Sequence, residues 1–437
     1  MKLRIRFVIL LSGLLVFMPP VAQGEVVSLK ECLVTAMENN PSLAEGRLNI
    51  EAADQGIISA QGKHFPRLTL DANLTERQDP WPYIPAQSPT IGAHFSDSYA
   101  LWSLNATISL YQGGQITTGV ELAKVRERIQ ENVLTLTRND LIANTVNTYN
   151  KFLQTGKLME ASQASLRALE EQRKNAQLLF DVGRIAKVDL LKVEVQVANE
   201  KHRFMFLDES GKTLSATLRF LMGQQPEALP TELTPADSLA LPDIEADFKS
   251  GLNAARMNRA DYLIVRAGVH EAELNGKIAW GKMLPTVGAF GGYVDQYGFN
   301  PDYQHGSWVA GVNVSVPLYE RSLHADYQRE KLQKSRAEQR LLSVDNQLRL
   351  DIQTAISSLE ESRNRVATAE KSIGQADESF RIEQDKYKSG AGSMSDLLLS
   401  QAAAMTAAAN YTQALFDYNT AVVAYRRATG TLEEYLK

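Results

Sequence analysis

Gly183-Arg184-Ile185-Ala186-Lys187-Val188-Asp189-Leu190-Leu191 and Gly390-Ala391-Gly392-Ser393-Met394-Ser395-Asp396-Leu397-Leu398 are two versions of one sentence. In each the Asp follows the first Gly by six residues, and a further Gly (Gly223, Gly430) follows the Asp by 34. The offset between the copies is 207 residues. A repeat of that length sets the architecture, so it is read before anything else. Upstream, Ala60, Gly62, Lys63 and Pro66 recur as Ala279, Gly281, Lys282 and Pro285 at an offset of 219, with Leu33 and Ala36 opposite Leu252 and Ala255. Asn105 and Tyr111 recur as Asn313 and Tyr319 at 208, so the loop between is shorter in the second copy. The chain is a tandem duplication: a first repeat over 25–224, a linker over 225–247 and a second repeat over 248–437.

The N-terminus carries Lys2, Arg4 and Arg6, an apolar run from Phe7 to Met18, and Ala22-Gln23-Gly24. A basic head, a short apolar run and small residues before the cut describe a signal peptide over 1–24. The run is too short for a membrane anchor. Its loss takes the formal net charge from −5 to −8, because three basic and no acidic residues go with it. A chain so acidic offers no basic surface to nucleic acid. The single cysteine, Cys32, has no disulfide partner in the chain and reads as a small core residue of the first helix. No later run approaches the ~18 apolar residues of a membrane helix, so any insertion must be by strands.

Residues 28–64 read as helix, interrupted at Asn40-Pro41, where Pro suits a first helical turn. The period then changes to two. Leu68, Leu70, Ala72 and Leu74 alternate with polar residues, as do Leu104, Ala106, Ile108 and Leu110. A loop with Pro80, Trp81, Pro82, Tyr83, Pro85 and Pro89 lies between. The second copy has Val287, Ala289, Gly291 and Tyr293, then Val312, Val314, Val316 and Leu318. The expectation is two hairpins, 67–111 and 286–318, of strands about 9 to 11 residues long, enough to cross a bilayer when tilted. Trp102, Tyr111, Tyr293, Trp308 and Tyr319 fall near their ends, where aromatic girdles belong. Two hairpins of a soluble sheet fit the strand pattern equally.

Helical hairpins follow over 113–222 and 320–428. From Gln115 to about Asp181, and again from Leu323 to Tyr387, nothing stops a helix of roughly 65 residues, about 100 Å. Ile352, Leu359, Val366, Ile373, Phe380 and Tyr387 recur every seventh residue, and Leu397, Ala404, Tyr411, Tyr418 and Tyr425 do so after the turn. That is the heptad seam of an antiparallel coiled pair. Ser393 and Asp396 make a helix start signal at the second tip, and Ala186 leaves the first tip without it.

No catalytic constellation is present, so no enzyme is expected and no cofactor or metal is assigned. The six histidines are scattered, with none paired at metal-ligand spacing, and there is no phosphate loop. Charged residues on the helices pair at i,i+3 and i,i+4 as a solvated face.

The order of signal peptide, Asn-Pro helix, hairpin, long helix and Gly-x5-Asp-Leu tip, then the set again, resembles the TolC-like outer-membrane efflux channels. The likeness covers Glu25 to Leu436 and departs at Ala260, where the family often has Pro, and at Ala186. It implies a mostly α fold with a membrane β-barrel. In that fold three chains close four strands each into a 12-stranded barrel, continued by a trimeric α-barrel through the periplasm. It implies a passive exit duct in the outer membrane, in contact with lipid. The partners would be a periplasmic adaptor and an inner-membrane transporter, in efflux or type I secretion. It places Asp189 and Asp396 at the aperture with Tyr387. The family's basic partner falls on Gly392, which makes Arg184 the candidate substitute. Gly183, Leu190, Gly390 and Leu397 would meet the adaptor. A soluble periplasmic coiled-coil adaptor or scaffold is the competing reading, and membrane-length hairpins argue against it. A general porin lacks such helices. Absence of His and Met clusters leans toward organic solutes or polypeptide as cargo.

Overall fold

The computed structural model describes residues 25–84, 86, 92–225, 233–300 and 302–436. The signal peptide and Pro85, Pro89, Pro226, Pro230 and Pro301 lie outside them. A short strand β1 (Glu25–Val27) precedes helices α1 (Leu29–Asn39) and α2 (Pro41–Gly62). Strands β2 (Arg67–Ile84) and β3 (His94–Gln112) lead into α3 (Gln115–Asp181) and α4 (Lys187–Leu221). After β4 (Leu233–Pro235) the plan recurs as α5 (Phe248–Asn258), α6 (Ala260–Gly281), β5 (Thr286–Phe299), β6 (Asp302–Ser315), α7 (Arg321–Lys388) and α8 (Met394–Thr429).

The Asn40 side chain explains the first break. It accepts from Ser42 N–H at 3.0 Å, capping α2, while its amide donates to the Leu221 carbonyl at 3.0 Å. In the second copy Arg259 stands there, and its guanidinium instead ties Asp261 to Asp351 of α7. α5 is held to α7 by Arg256, which donates two parallel 2.8 Å bonds to Asp345.

The four long strands form one antiparallel sheet in the order β2-β3-β5-β6. They run 18, 19, 14 and 14 residues, longer than expected. The expected loop at Pro80–Tyr83 is strand: β2 is an edge, where proline is tolerated, and its pairing with β3 is interrupted between Glu76 and Trp81, where Pro80 falls. β6 also stops earlier than expected, at Ser315, leaving Val316 and Leu318 beyond it. Across the sheet Leu70, Leu104, Tyr293 and Trp308 form one tier, and Ile108, Ala289 and Val312 another. This apolar face is open: Leu70, Leu104, Trp308 and Val312 are all exposed. The opposite face carries Thr69, Asn105 and Gly292 in one tier and Arg67, Thr107, Phe290 and Gly311 in the next.

Below the sheet the helices stand side by side in the same order, α2-α3-α6-α7. Farther down, α3 pairs with α4, and α7 with α8. Gly113 and Gly281 make the junction possible, since a Cβ on Gly113 would lie 2.1 Å from the Gly281 carbonyl oxygen. Among the described residues, no helix is long and apolar enough to cross a membrane.

The core is a girdle at mid-height. Leu33, Ile142, Val146, Val423 and Leu432 are buried together there, and Cys32 packs beside Tyr149 and Leu218. The linker is strapped to this girdle. β1 pairs in parallel with β4, and the Tyr149 hydroxyl sits between the Val27 carbonyl (3.0 Å) and the Asp237 carboxylate (2.8 Å). Tyr418 donates to the Pro242 carbonyl, and Asn419 to that of Ala240.

Candidate functional site

At the end farthest from the sheet, each hairpin turns on a glycine in the left-handed region, Gly183 at φ 72° and Gly390 at φ 77°. The bonds are the same in both. Gly183 N–H donates to Phe180 O and Arg184 N–H to Leu179 O; Gly390 N–H donates to Tyr387 O and Ala391 N–H to Lys386 O. These are the two bonds of a Schellman motif, which only a residue without a Cβ enters freely.

The carboxylates then sit in the first turns of α4 and α8, at the positive end of each helix dipole. Ser393 accepts from Asp396 N–H at 3.1 Å and donates its hydroxyl to the Asp396 carboxylate at 2.7 Å. Ala186 offers α4 no such cap. Asp189 is met instead by Lys192, whose ammonium lies 3.2 Å from its Oδ1 and also donates to Ser395 Oγ at 2.8 Å. Lys192 thus bridges the first tip to the second. No tip motif singled it out, although its i+3 spacing from Asp189 is visible in the sequence.

Tyr387 is half-buried against the tip core. Burial, and then the nearby Asp189 carboxylate, push its phenol above the ordinary range. The Lys386 ammonium is raised as well, chiefly by its bond to Glu383, with a smaller contribution from Asp396. Gly392 is explained by space: a Cβ there would lie 3.0 Å from Lys386 Cβ and 3.1 Å from Tyr387 N. A basic side chain at this point would have to shift the end of α7.

Two expectations are corrected. Leu190 and Leu397 are each only 6% exposed, packed with Val193, Val197, Met394 and Phe380, because all four helices converge at the tips. They fill the core of the tip. On the returning helices Val188, Leu191 and Val195 of α4 and Leu399 of α8 are open and flank a groove beside Lys192 and Ser395, and Val182 is open at the first turn. Arg184 is brought to the tip surface but not to Tyr387: within the chain its side chain is exposed and makes no ion pair among the described residues. No group of His, Cys, Asp or Glu among the described residues is arranged to hold a metal.

This doubled hairpin-and-strand plan has counterparts. A sequence profile described as "Outer membrane efflux protein" matches residues 32–224 and 251–431, one segment in each repeat. The chain belongs to the outer membrane efflux protein family. Among relatives, the outer membrane efflux protein BepC of Brucella suis is 24% identical over 93% of this chain and 86% of its own length. The outer membrane protein TolC of Vibrio cholerae is 21% identical, over 93% and 91%. The fold matches that of the CmeC outer membrane channel of Campylobacter jejuni, with a TM-score of 0.81 at 16% identity over 92% of this chain and 85% of that one. It also matches the open state of the MtrE outer membrane channel of Neisseria gonorrhoeae, with a TM-score of 0.78 at 17% identity over 94% and 90%. As a member of this family the protein is an outer-membrane efflux protein. The soluble adaptor reading is thereby set aside.

Proposed function

We propose that three copies of the chain close into one passive duct, fed by a periplasmic adaptor and an inner-membrane transporter. One observation carries the reading: sheet and helical wall run in the same order and end on the same elements, β2 over α2 at one edge and β6 over α7 at the other. An edge strand in lipid leaves costly unpaired N–H and C=O groups. Four strands are too few to close alone, since single-chain barrels begin at eight. Joining edge β6–α7 of one copy to edge β2–α2 of the next is a heterologous contact that satisfies both layers when the ring closes. Exposed Leu48 and Ile58 on α2, and Leu332 and Leu342 on α7, recur at the same spacing of ten residues on the two edges and supply apolar surface for it. The open apolar sheet face then meets lipid and the polar face lines water.

At the far end, the strip of Val188, Leu191, Val195 and Leu399 is the adaptor contact, with Gly183 and Gly390 exposed at the turns. Asp189 and Asp396 from each copy form a ring of carboxylates at the aperture, and Tyr387 backs Asp189. Light scattering of the detergent-purified protein tests the assembly. A mass of three chains is expected, with the trimer broken by Ile58→Lys together with Leu342→Lys. A monomer in the parent overturns the reading.

A further inference from the structure

At the foot of the sheet, the water-facing side holds a recess of about 750 Å³. Lys63, Phe65, Arg67, Thr107, Phe290 and Asn313 line it. That volume suits a small organic molecule rather than a bare ion. Phe290 is the recess's aromatic residue on this mostly polar face, with Val309 one tier above it. Its tier is Arg67, Thr107, Phe290 and Gly311, and its ring lies over Gly311, where a Cβ would come within 2.9 Å of the ring's Cζ. Gly288 and Gly292, its neighbours on the same face of β5, place no side chain of their own beside the ring. Phe290 and Phe65 both remain exposed.

The cations are uncommitted. Among the described residues, neither Lys63 nor Arg67 makes an ion pair. The nearest carboxylate on the face of β2, Asp71, stands two steps further up, about 13 Å along the strand, and accepts from Asn105 at 3.3 Å. A second copy joined at the β2 edge brings none on its strand, since the water-facing residues of β6 at this level are Val309, Gly311, Asn313 and Ser315. Two cations and two aromatic faces around one cavity, in an otherwise acidic chain, have a definite complement. An aromatic ring stacks on the phenyl groups while an attached anionic group meets the guanidinium.

We propose that this recess is a transit site for aromatic organic anions, one per protomer, where cargo leaves the helical tunnel for the strand barrel. The proposal rests on the duct reading, because only in a closed ring does this face line water.

The test uses the full-length protein with naphthalenesulfonate as probe. Its binding to detergent-solubilised protein is followed by its own fluorescence, and ion conductance is recorded separately in a planar bilayer. Saturable binding is expected, weakened about tenfold by Phe290→Leu and by Arg67→Gln. Thr75→Ala, higher on the same face, leaves it unchanged. In the bilayer, naphthalenesulfonate should interrupt the current where inorganic sulfate and naphthalenemethanol do not. Parent-like binding in both variants overturns the site, as does equal interruption by sulfate. A protein that binds the probe but conducts no ions overturns the duct reading and with it the transit role. One that conducts but does not bind the probe overturns the site alone.

Discussion

Lys192 on the first tip donates to Ser395 on the second at 2.8 Å, and the same ammonium holds Asp189 at 3.2 Å. One lysine therefore couples the two returning helices at the proposed aperture. Both partners of its ion pair are open to water, so the tie is worth only about 0–1 kcal/mol and is screened by salt. Lys192→Met is expected to raise resting conductance in planar bilayers, most clearly at low ionic strength. An unchanged resting conductance at low salt places closure on other contacts.

The carboxylates make a separate prediction. Asp396 caps its own helix through Ser393, so capping alone predicts some loss of helix stability in Asp396→Asn and nothing more. A ring of carboxylates predicts that Asp189→Asn with Asp396→Asn lowers cation selectivity. The reversal potential across a potassium chloride gradient reads it. Selectivity equal to the parent's reduces both residues to caps.

Buried and exposed tip residues should separate in export assays. Val188→Asp with Leu191→Asp changes open apolar surface and is expected to abolish export with trimers intact. Leu190→Asp places a charge in the tip core and is expected to destabilise the hairpin by about 3 kcal/mol or more. Export that survives the surface pair moves the adaptor contact elsewhere.

The two sheet faces differ in what they tolerate. Ile108→Arg puts a charge on the lipid side, at a cost on the order of 2–4 kcal/mol near mid-bilayer. Asn105→Arg changes the water side, where it loses bonds to Asp71 and Ser103. It should assemble more readily and alter conductance. Equal loss of the proposed trimer in the two, read by light scattering, would contradict the assignment of faces.

Acid should loosen the junction of α5 with α7. Burial raises the Asp345 carboxyl, but the bonds from Arg256 and Arg349 outweigh it, so the group is held below its ordinary 3.8. A depressed carboxyl contributes stability that is complete above the unfolded value and is lost as pH falls through the folded one. Thermal unfolding of the parent should therefore weaken below about pH 4. Asp345→Asn should remove part of that acid sensitivity and cost about 2–3 kcal/mol at neutral pH, by leaving Arg256 short of its partner.

The repeat was legible because backbone geometry demands it. A Schellman turn needs a residue at positive φ, and Gly183, Gly223, Gly390 and Gly430 all supply one, at φ 72°, 73°, 77° and 74°. Strand limits were hidden for the opposite reason. Pro80 and Pro82 look like loop until the sheet order shows β2 to be an edge, where proline does no harm. Leu190 and Leu397 misled because a two-helix seam leaves one flank open, whereas the tips pack four helices. Lys192 was invisible as a bridge, since its second partner lies 203 residues away. The heptads gave the pairs within each hairpin; how the hairpins meet depends on packing that no single period encodes.

If the ring forms as proposed, the protomer's unpaired edges have a consequence for the chain beforehand. β2 and β6 are 18 and 14 residues long, and both flank a sheet whose apolar face is uncovered. Such a protomer in transit is a template for cross-chain strand addition with any exposed strand it meets. The time spent alone, more than the stability reached at the end, then limits the yield of finished channel. Short residence as a lone protomer is then the kinetic counterpart of this edge design.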